Sequence, residues 1–293
     1  MKRFIIALTV FMTITSSVMA IFPFYKIGEK NEAITIVENE INEALKSANY
    51  EILGSYNVAN NKDFQVIVFT NTNLKKLALS YSNRGALAAA QKIALIYKDG
   101  KTSISLLNPK YMFHAYFQKE FEKNGSILID ETNAIKSIFT ELGYSLSPFG
   151  GEVSIKDLRN YKYMIGMPDF NDPVKLNTYA SFEEGLKTIR ANLEAKKGNT
   201  VKVYELISED KNIAVFGVGL LDVEEGEKHF LSIIGEDHLA AMPYEIILQD
   251  NEATMLHGRF RIALFWPELS MSTFTKIMST PGKVEEFMEA ISK

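Results

Sequence analysis

One run of elements occurs twice in this chain, and that repetition limits what it can fold into more than any other feature. Tyr25-Lys26-Ile27-Gly28 leads into a helical pattern in which Ile34, Val37, Ile41, Ala44, Leu45 and Ala48 recur at spacings of three and four. Tyr163-Met164-Ile165-Gly166 reads as its counterpart, ahead of Ser181 to Ala195, where Phe182, Leu186, Ile189 and Leu193 are spaced alike. Ser181 followed by Glu184 is a capping box and marks the start of this second helix. Each helix is followed by a strand, a polar turn and a buried strand. The first set is Tyr50 to Val58, the turn Asn60 to Asp63, and Phe64 to Phe69; the second is Thr200 to Ile207, the turn Ser208 to Lys211, and Ile213 to Val218. Asp63 and Asp210 stand 147 residues apart, as do Phe69 and Phe216. A stretch of small residues then leads to a hairpin. Ala88-Ala89-Ala90 precedes Ile93 to Tyr97, and Asp99-Gly100 is a two-residue turn whose positions both favour φ > 0, before Thr102 to Leu107 returns. In the second copy Ala240-Ala241 precedes Tyr244 to Leu248, Asp250-Asn251 turns, and Thr254 to Phe265 reads as a long returning strand.

A chain of 293 residues can bury two cores of ordinary size. The expected fold is therefore α+β: two related domains, each an antiparallel-rich sheet with helices packed on one face, arranged as a pseudo-dimer. The predicted bounds are a first repeat over 21–143, with a trailing helix from Asp130 to Leu142, a linker over 144–160 and a second repeat over 161–293. Pro148 and Gly150-Gly151 mark the linker, and a helix from Lys283 to Ile291 ends the chain.

The run Val66-Ile67-Val68-Phe69-Thr70-Asn71, the segment Arg84-Gly85-Ala86-Leu87-Ala88-Ala89-Ala90, the turn Tyr97-Lys98-Asp99-Gly100 and the closing Asn108-Pro109 resemble the domain-of-unknown-function family 302. The second copy resembles it less closely, because Asn251 replaces the turn glycine. The resemblance implies a small α+β domain whose members pair, so a tandem chain could pair with itself. It implies no catalytic residue.

Lys2 and Arg3, the apolar run Phe4 to Thr15 and the ending Val18-Met19-Ala20 form a secretory signal pattern over residues 1–20, with cleavage expected after Ala20. The expected location is the periplasm, and no later stretch reaches the length of a membrane span. A formal net charge of −4 lacks the basic footprint of a nucleic-acid binder. The absence of Cys excludes disulfides, thiolate metal sites and cysteine nucleophiles.

Three constellations carry the candidate chemistry. His238 and His257 stand near Glu236 and form a candidate metal site, with imidazole and carboxylate suiting a divalent metal and imidazole with Met255 suiting haem iron. If Thr254 to Phe265 is one strand, His257, Arg259 and Arg261 share a face by alternation, and the two guanidinium groups would hold an anionic ligand. The aromatic run Tyr111, Phe113, Tyr116, Phe117 and Phe121 reads as a helix apolar on most sides, suited to the seam between the copies.

The reading that follows is an exported, non-enzymatic protein that binds a small ligand or a protein partner. A His-ligated metal-dependent enzyme or redox protein is one alternative, and a purely structural partner protein is another. The repeat also allows a homodimer built from paired copies.

Overall fold

A computed structural model describes residues 19–293, so most of the expected signal peptide, residues 1–18, lies outside the described residues. The short strand β1 (Ala20–Ile21) contains the expected cleavage point. The first unit then runs β2 (Phe24–Lys30), α1 (Ile34–Ser47), β3 (Glu51–Asn57), β4 (Phe64–Thr70), α2 (Thr72–Ala78), β5 (Gln91–Lys98), β6 (Lys101–Leu107), α3 (Pro109–Phe117) and α4 (Gly125–Glu141). A connector holds β7 (Ser147–Phe149), β8 (Val153–Ser154) and α5 (Ile155–Leu158). The second unit runs β9 (Val174–Thr178), α6 (Phe182–Glu194), β10 (Thr200–Ser208), β11 (Ile213–Leu220), α7 (Glu227–Ile234), β12 (Tyr244–Gln249), β13 (Glu252–Met255), α8 (Gly258–Phe265), α9 (Met271–Lys276) and α10 (Thr280–Ser292).

The protein is α+β with antiparallel sheets. The first sheet has the order β3-β4-β5-β6-β2-β7 and the second β10-β11-β12-β13-β9, so the five repeated strands take the same places in both. Even the irregularities repeat. A bulge at Leu53 interrupts β3 against β4, and one at Val203 interrupts β10 against β11. Another pair of bulges, at Ile27 and Leu176, interrupts β2 against β6 and β9 against β13. These bulges fix the correspondence residue by residue, because a one-residue slip would turn every side chain to the other face.

The bulges also correct the sequence reading. The counterpart of Lys26-Ile27-Gly28 is Lys175-Leu176-Asn177 in β9. Tyr163 to Gly166 is a surface loop instead, with Ile165 fully exposed. Phe69 corresponds to Val218, two residues beyond the expected Phe216. Thr254 to Phe265 is not one strand: β13 stops at Met255 and α8 starts at Gly258. The aromatic helix ends at Phe117 rather than Phe121, where Gln118 takes φ 50 and ψ −127 and a 3-10 turn follows. The segment 144–160, expected as a linker, instead carries β7, β8 and α5. There β7 joins the edge of the first sheet, and β8 pairs with β1.

Apolar burial explains the layering. One face of the first sheet offers Ile27, Ile67, Phe69, Ile93, Leu95, Ile104 and Leu106 to Val37, Ile41 and Leu45 of α1 and to Ile135, Ile138 and Phe139 of α4. The other face, with Tyr56, Val66, Val68 and Ala94, belongs to a larger core shared with the second unit. Each fully buried side chain of this size contributes about 1.5–3 kcal/mol. In the second unit α6 and α10 pack against each other and against the second sheet, and α6 lies on that sheet as α1 does on the first.

Contacts between the units are reciprocal. Strand β3 meets its counterpart β10, so closely that a Cβ on Gly54 would lie 2.0 Å from the Val203 carbonyl oxygen. The 3-10 turn before β5 touches β11, and the turn before β12 touches β4. The aromatic helix α3 is buried at this seam, where the Tyr111 hydroxyl donates to the Leu264 carbonyl of α8 at 2.7 Å. None of the described helices is long and apolar enough to cross a membrane.

Candidate functional site

Strand β5 turns alternate residues to the face shared with the second unit, so Lys92, Ala94, Ile96 and Lys98 lie on one side. They meet two different surroundings. Near its start β5 is covered by the second unit; toward the hairpin it runs past that cover, and an open cleft begins.

Under the cover, Lys92 pairs through its ammonium with Glu245 of β12, both almost wholly buried. Glu245 also forms an ion pair with Arg261 of α8, whose Nη2 lies 3.2 Å from its second oxygen. Arg261 is 1% exposed and donates from Nη2 to the carbonyls of Ala241 and Pro243, with its guanidinium 4.1 Å from the Tyr244 ring centroid. Burial pushes the Lys92 ammonium down, and Glu245 opposes that shift. Beside this group the Glu227 carboxylate, at the start of α7, accepts from the Tyr56 hydroxyl at 2.8 Å and from the Ala59 and Leu220 amides at 2.9 and 3.2 Å. Burial outweighs these donors and pushes the Glu227 carboxyl up to about 7.

Where the cover ends, the cleft has a volume of about 620 Å³. Its sheet side is formed by Lys26 and Glu29 of β2, Ile96 and Lys98 of β5, Asp99 of the turn, and Lys101, Ser103 and Ser105 of β6. Phe149 of β7 lines it at the edge of the sheet, and Glu236 and Asp237 line it from the second unit, as its other wall. Lys26 is paired with Glu29 at 3.0 Å, and Lys101 helps Lys26 hold the Glu29 carboxyl below its ordinary range. Lys98, Lys101, Glu236 and Asp237 form no ion pair among the described residues.

His238 anchors the wall that carries Glu236 and Asp237. Its ring packs among Phe24, Trp266 and Phe149, with centroids 4.7, 5.4 and 5.7 Å away. Nδ1 lies 2.6 Å from the Phe265 carbonyl oxygen, which can only accept, so Nδ1 carries the proton. Burial pushes the imidazole down, against the Phe265 carbonyl, Glu268 and Asp237. Both units contribute to this box: Phe24 and Phe149 lie in the first sheet, and His238 and Trp266 in the second unit.

The structure separates the residues that the sequence grouped. His257 is the N-cap of α8, its Nδ1 accepting from the Arg259 amide at 3.2 Å, the role Asn108 plays for α3. Alternation fails beyond Leu256, because α8 is helical: Arg259 is exposed while Arg261 is sealed in the core. Arg259 and Arg261 therefore do not form a two-pronged anion clamp with His257. His238, His257 and Glu236 do not converge either, and among the described residues no three His, Cys, Asp or Glu side chains gather to hold a metal ion.

Sequence reasoning missed Lys92, Glu245 and Glu227, and the cleft lysines Lys98 and Lys101. A signal existed for the first two: each is the single charge near the start of an otherwise apolar strand, in corresponding copies, with opposite sign. No family model matches the chain, and neither curated proteins nor solved structures yield a match.

Proposed function

We propose that this chain is an exported, non-enzymatic binding protein, built as a pseudo-dimer of two units resembling the domain-of-unknown-function family 302. The observation that carries the binding reading is the cleft at the open end of the first sheet. It sets the unpaired ammonium groups of Lys98 and Lys101, with the Asp99 carboxylate in the turn between them, on the sheet side, and brings the carboxylates of Glu236 and Asp237 from the second unit. A ligand that satisfies both sides carries separated negative and positive groups, as a dipolar solute such as a free amino acid or short peptide does. Hydroxyls of Ser103 and Ser105 and the ring of Phe149 supply the neutral contacts that orient such a molecule. The pseudo-dimer reading is supported by the shared strand order, the matched bulges and the reciprocal contacts. Export is supported by Lys2, Arg3, the apolar run and the small residues that end at Ala20.

The test is calorimetric titration of the full described chain with a panel of free amino acids and dipeptides, repeated on Lys101→Ala and Glu236→Gln. The expected result is one chemical class that binds, with each variant weakening it about tenfold, the loss of one ion–ligand contact of about 1.4 kcal/mol. Binding untouched by both variants, or no binding across the panel, rejects the cleft as the site.

A further inference from the structure

Lys92 and Glu245 occupy the same position in the two units. Across β3 and β4 the bulge at Leu53 places Ile52 against Phe69 and Gly54 against Val68. Across β10 and β11 the bulge at Val203 places Lys202 against Val218 and Tyr204 against Gly217. On the neighbouring strands Val68 faces Lys92 and Gly217 faces Glu245. These two corresponding residues also touch each other. Corresponding residues that touch lie beside the axis relating the two units, where a pairing of identical units would bring each residue against its own copy.

We infer that this buried exchange of charge makes each unit accept only the other kind as its partner. Two first units paired through this face would bury ammonium against ammonium. Among the described residues no acid of the first unit forms an ion pair with Lys92, and Met112 stands where the second unit has Arg261. Two second units would press Glu245 against Glu245 in the place the ammonium now fills. Like charges at a buried contact cost far more than any surface pair. The mixed pair alone puts Lys92 and Arg261 on the two oxygens of one carboxylate. The interface that would otherwise join two copies of the chain is thereby consumed inside one, and the occupant of the first sheet's shared face is the second unit.

The pairing can be tested in the full chain by charge exchange. Lys92→Glu imitates the pairing of like units and is expected to lower the melting temperature by roughly 10 °C or to leave the protein insoluble. Adding Glu245→Lys with Arg261→Met in the same chain restores the opposite pair with its sign reversed, and is expected to recover soluble, monomeric protein by analytical ultracentrifugation. The milder variants Lys92→Gln and Glu245→Gln complete a double-mutant cycle that does not depend on the harsher ones folding, and the double variant should lose less than the two single losses added together. A Lys92→Glu protein that melts with the wild type overturns the inference. So does an exchanged variant that recovers nothing, or a cycle whose losses are additive.

Discussion

Lys92 and Lys98 stand on one strand, on one face, six residues apart, yet they do opposite work. Lys92 is 1% exposed and locked to Glu245; Lys98 lies open at the cleft rim. The difference is where the second unit stops. Covered, a charge must be matched at fixed geometry and serves to choose the partner. Uncovered, it is hydrated, adds little to stability and stays available to a ligand. The hairpin of the first unit also pairs two residues further from its base than that of the second, which is what carries Lys98 and Lys101 beyond the cover.

The sharpest way to break this comparison is to remove one charge from each region without changing its length much. Arg261→Met should cost about 3–5 kcal/mol, because it strips one of two cations from a buried carboxylate and abandons two backbone carbonyls. Lys98→Met should cost less than about 0.5 kcal/mol. Urea denaturation of the three proteins gives both numbers. Equal losses would mean that burial does not set the roles of the two regions.

Next in size are two titrations of opposite sign. The Glu227 carboxyl is pushed from 4.5 up to about 7, so its contribution to stability is complete below pH 4.5 and is lost as the pH rises through 7. The span amounts to about 3 kcal/mol. His114 behaves in reverse. Burial, with Arg159 and Lys110 nearby, pushes its imidazole down to about 3, and its Nδ1 accepts from the Arg159 Nε at 3.1 Å. Its contribution is present above pH 6.5 and is lost as the pH falls toward 3. Glu227→Gln should therefore flatten the loss of stability between pH 4.5 and 7, and His114→Gln should flatten the loss on the acid side. Denaturation midpoints across pH 4–8 separate them, and a Glu227→Gln profile parallel to the wild type would exclude Glu227 as the source.

A smaller effect is expected at the anchor of the cleft wall. His238→Phe keeps an aromatic ring in the box of Phe24, Phe149 and Trp266 but leaves the Phe265 carbonyl without its donor. The expected loss is about 1–3 kcal/mol, the cost of one unsatisfied buried acceptor. Hydrogen exchange should show the added opening at Glu236 and Asp237. Protection unchanged in that loop would mean that packing alone holds the wall.

Much of the fold was legible in the residues. The helix at Ile34 announced itself by its period and the one at Ser181 by period and cap, and Ser181 accepts from the Glu184 amide at 3.2 Å as its capping box required. The Asp99-Gly100 turn has φ of 52 and 80, as its sequence demands. The strand beyond Thr254 misled because α8 buries Phe260, Arg261, Ile262, Leu264 and Phe265 around most of its surface, which erases the helical period and leaves a spurious alternation. The site was harder to see. His238, His257 and Glu236 were singled out, but as metal ligands, and the structure gives His238 an anchoring role. Lys98 and Lys101 look like ordinary surface lysines until the extent of the second unit is known, and no local pattern records that extent.

The smallest stability effects belong to the cleft, and they give the comparison its finest edge. Lys98→Met and Glu236→Gln remove opposite charges from facing walls, so both should melt close to the wild type, each within about 0.5 kcal/mol. Electrostatically they differ. Glu29, Asp99, Glu236 and Asp237 already outnumber Lys26, Lys98 and Lys101 in the cleft, so removing Lys98 should shift it toward cationic amines, and Glu236→Gln should shift it toward anionic solutes. Titrating each variant with lysine and with glutamate reads this directly, and repeating the titration at higher salt should shrink both shifts, because exposed charges are screened over about 10 Å at 0.1 M. The same crossover after Lys92→Gln would show that the covered charge reaches the cleft, and the two regions would then act as one site rather than as a lock and an opening.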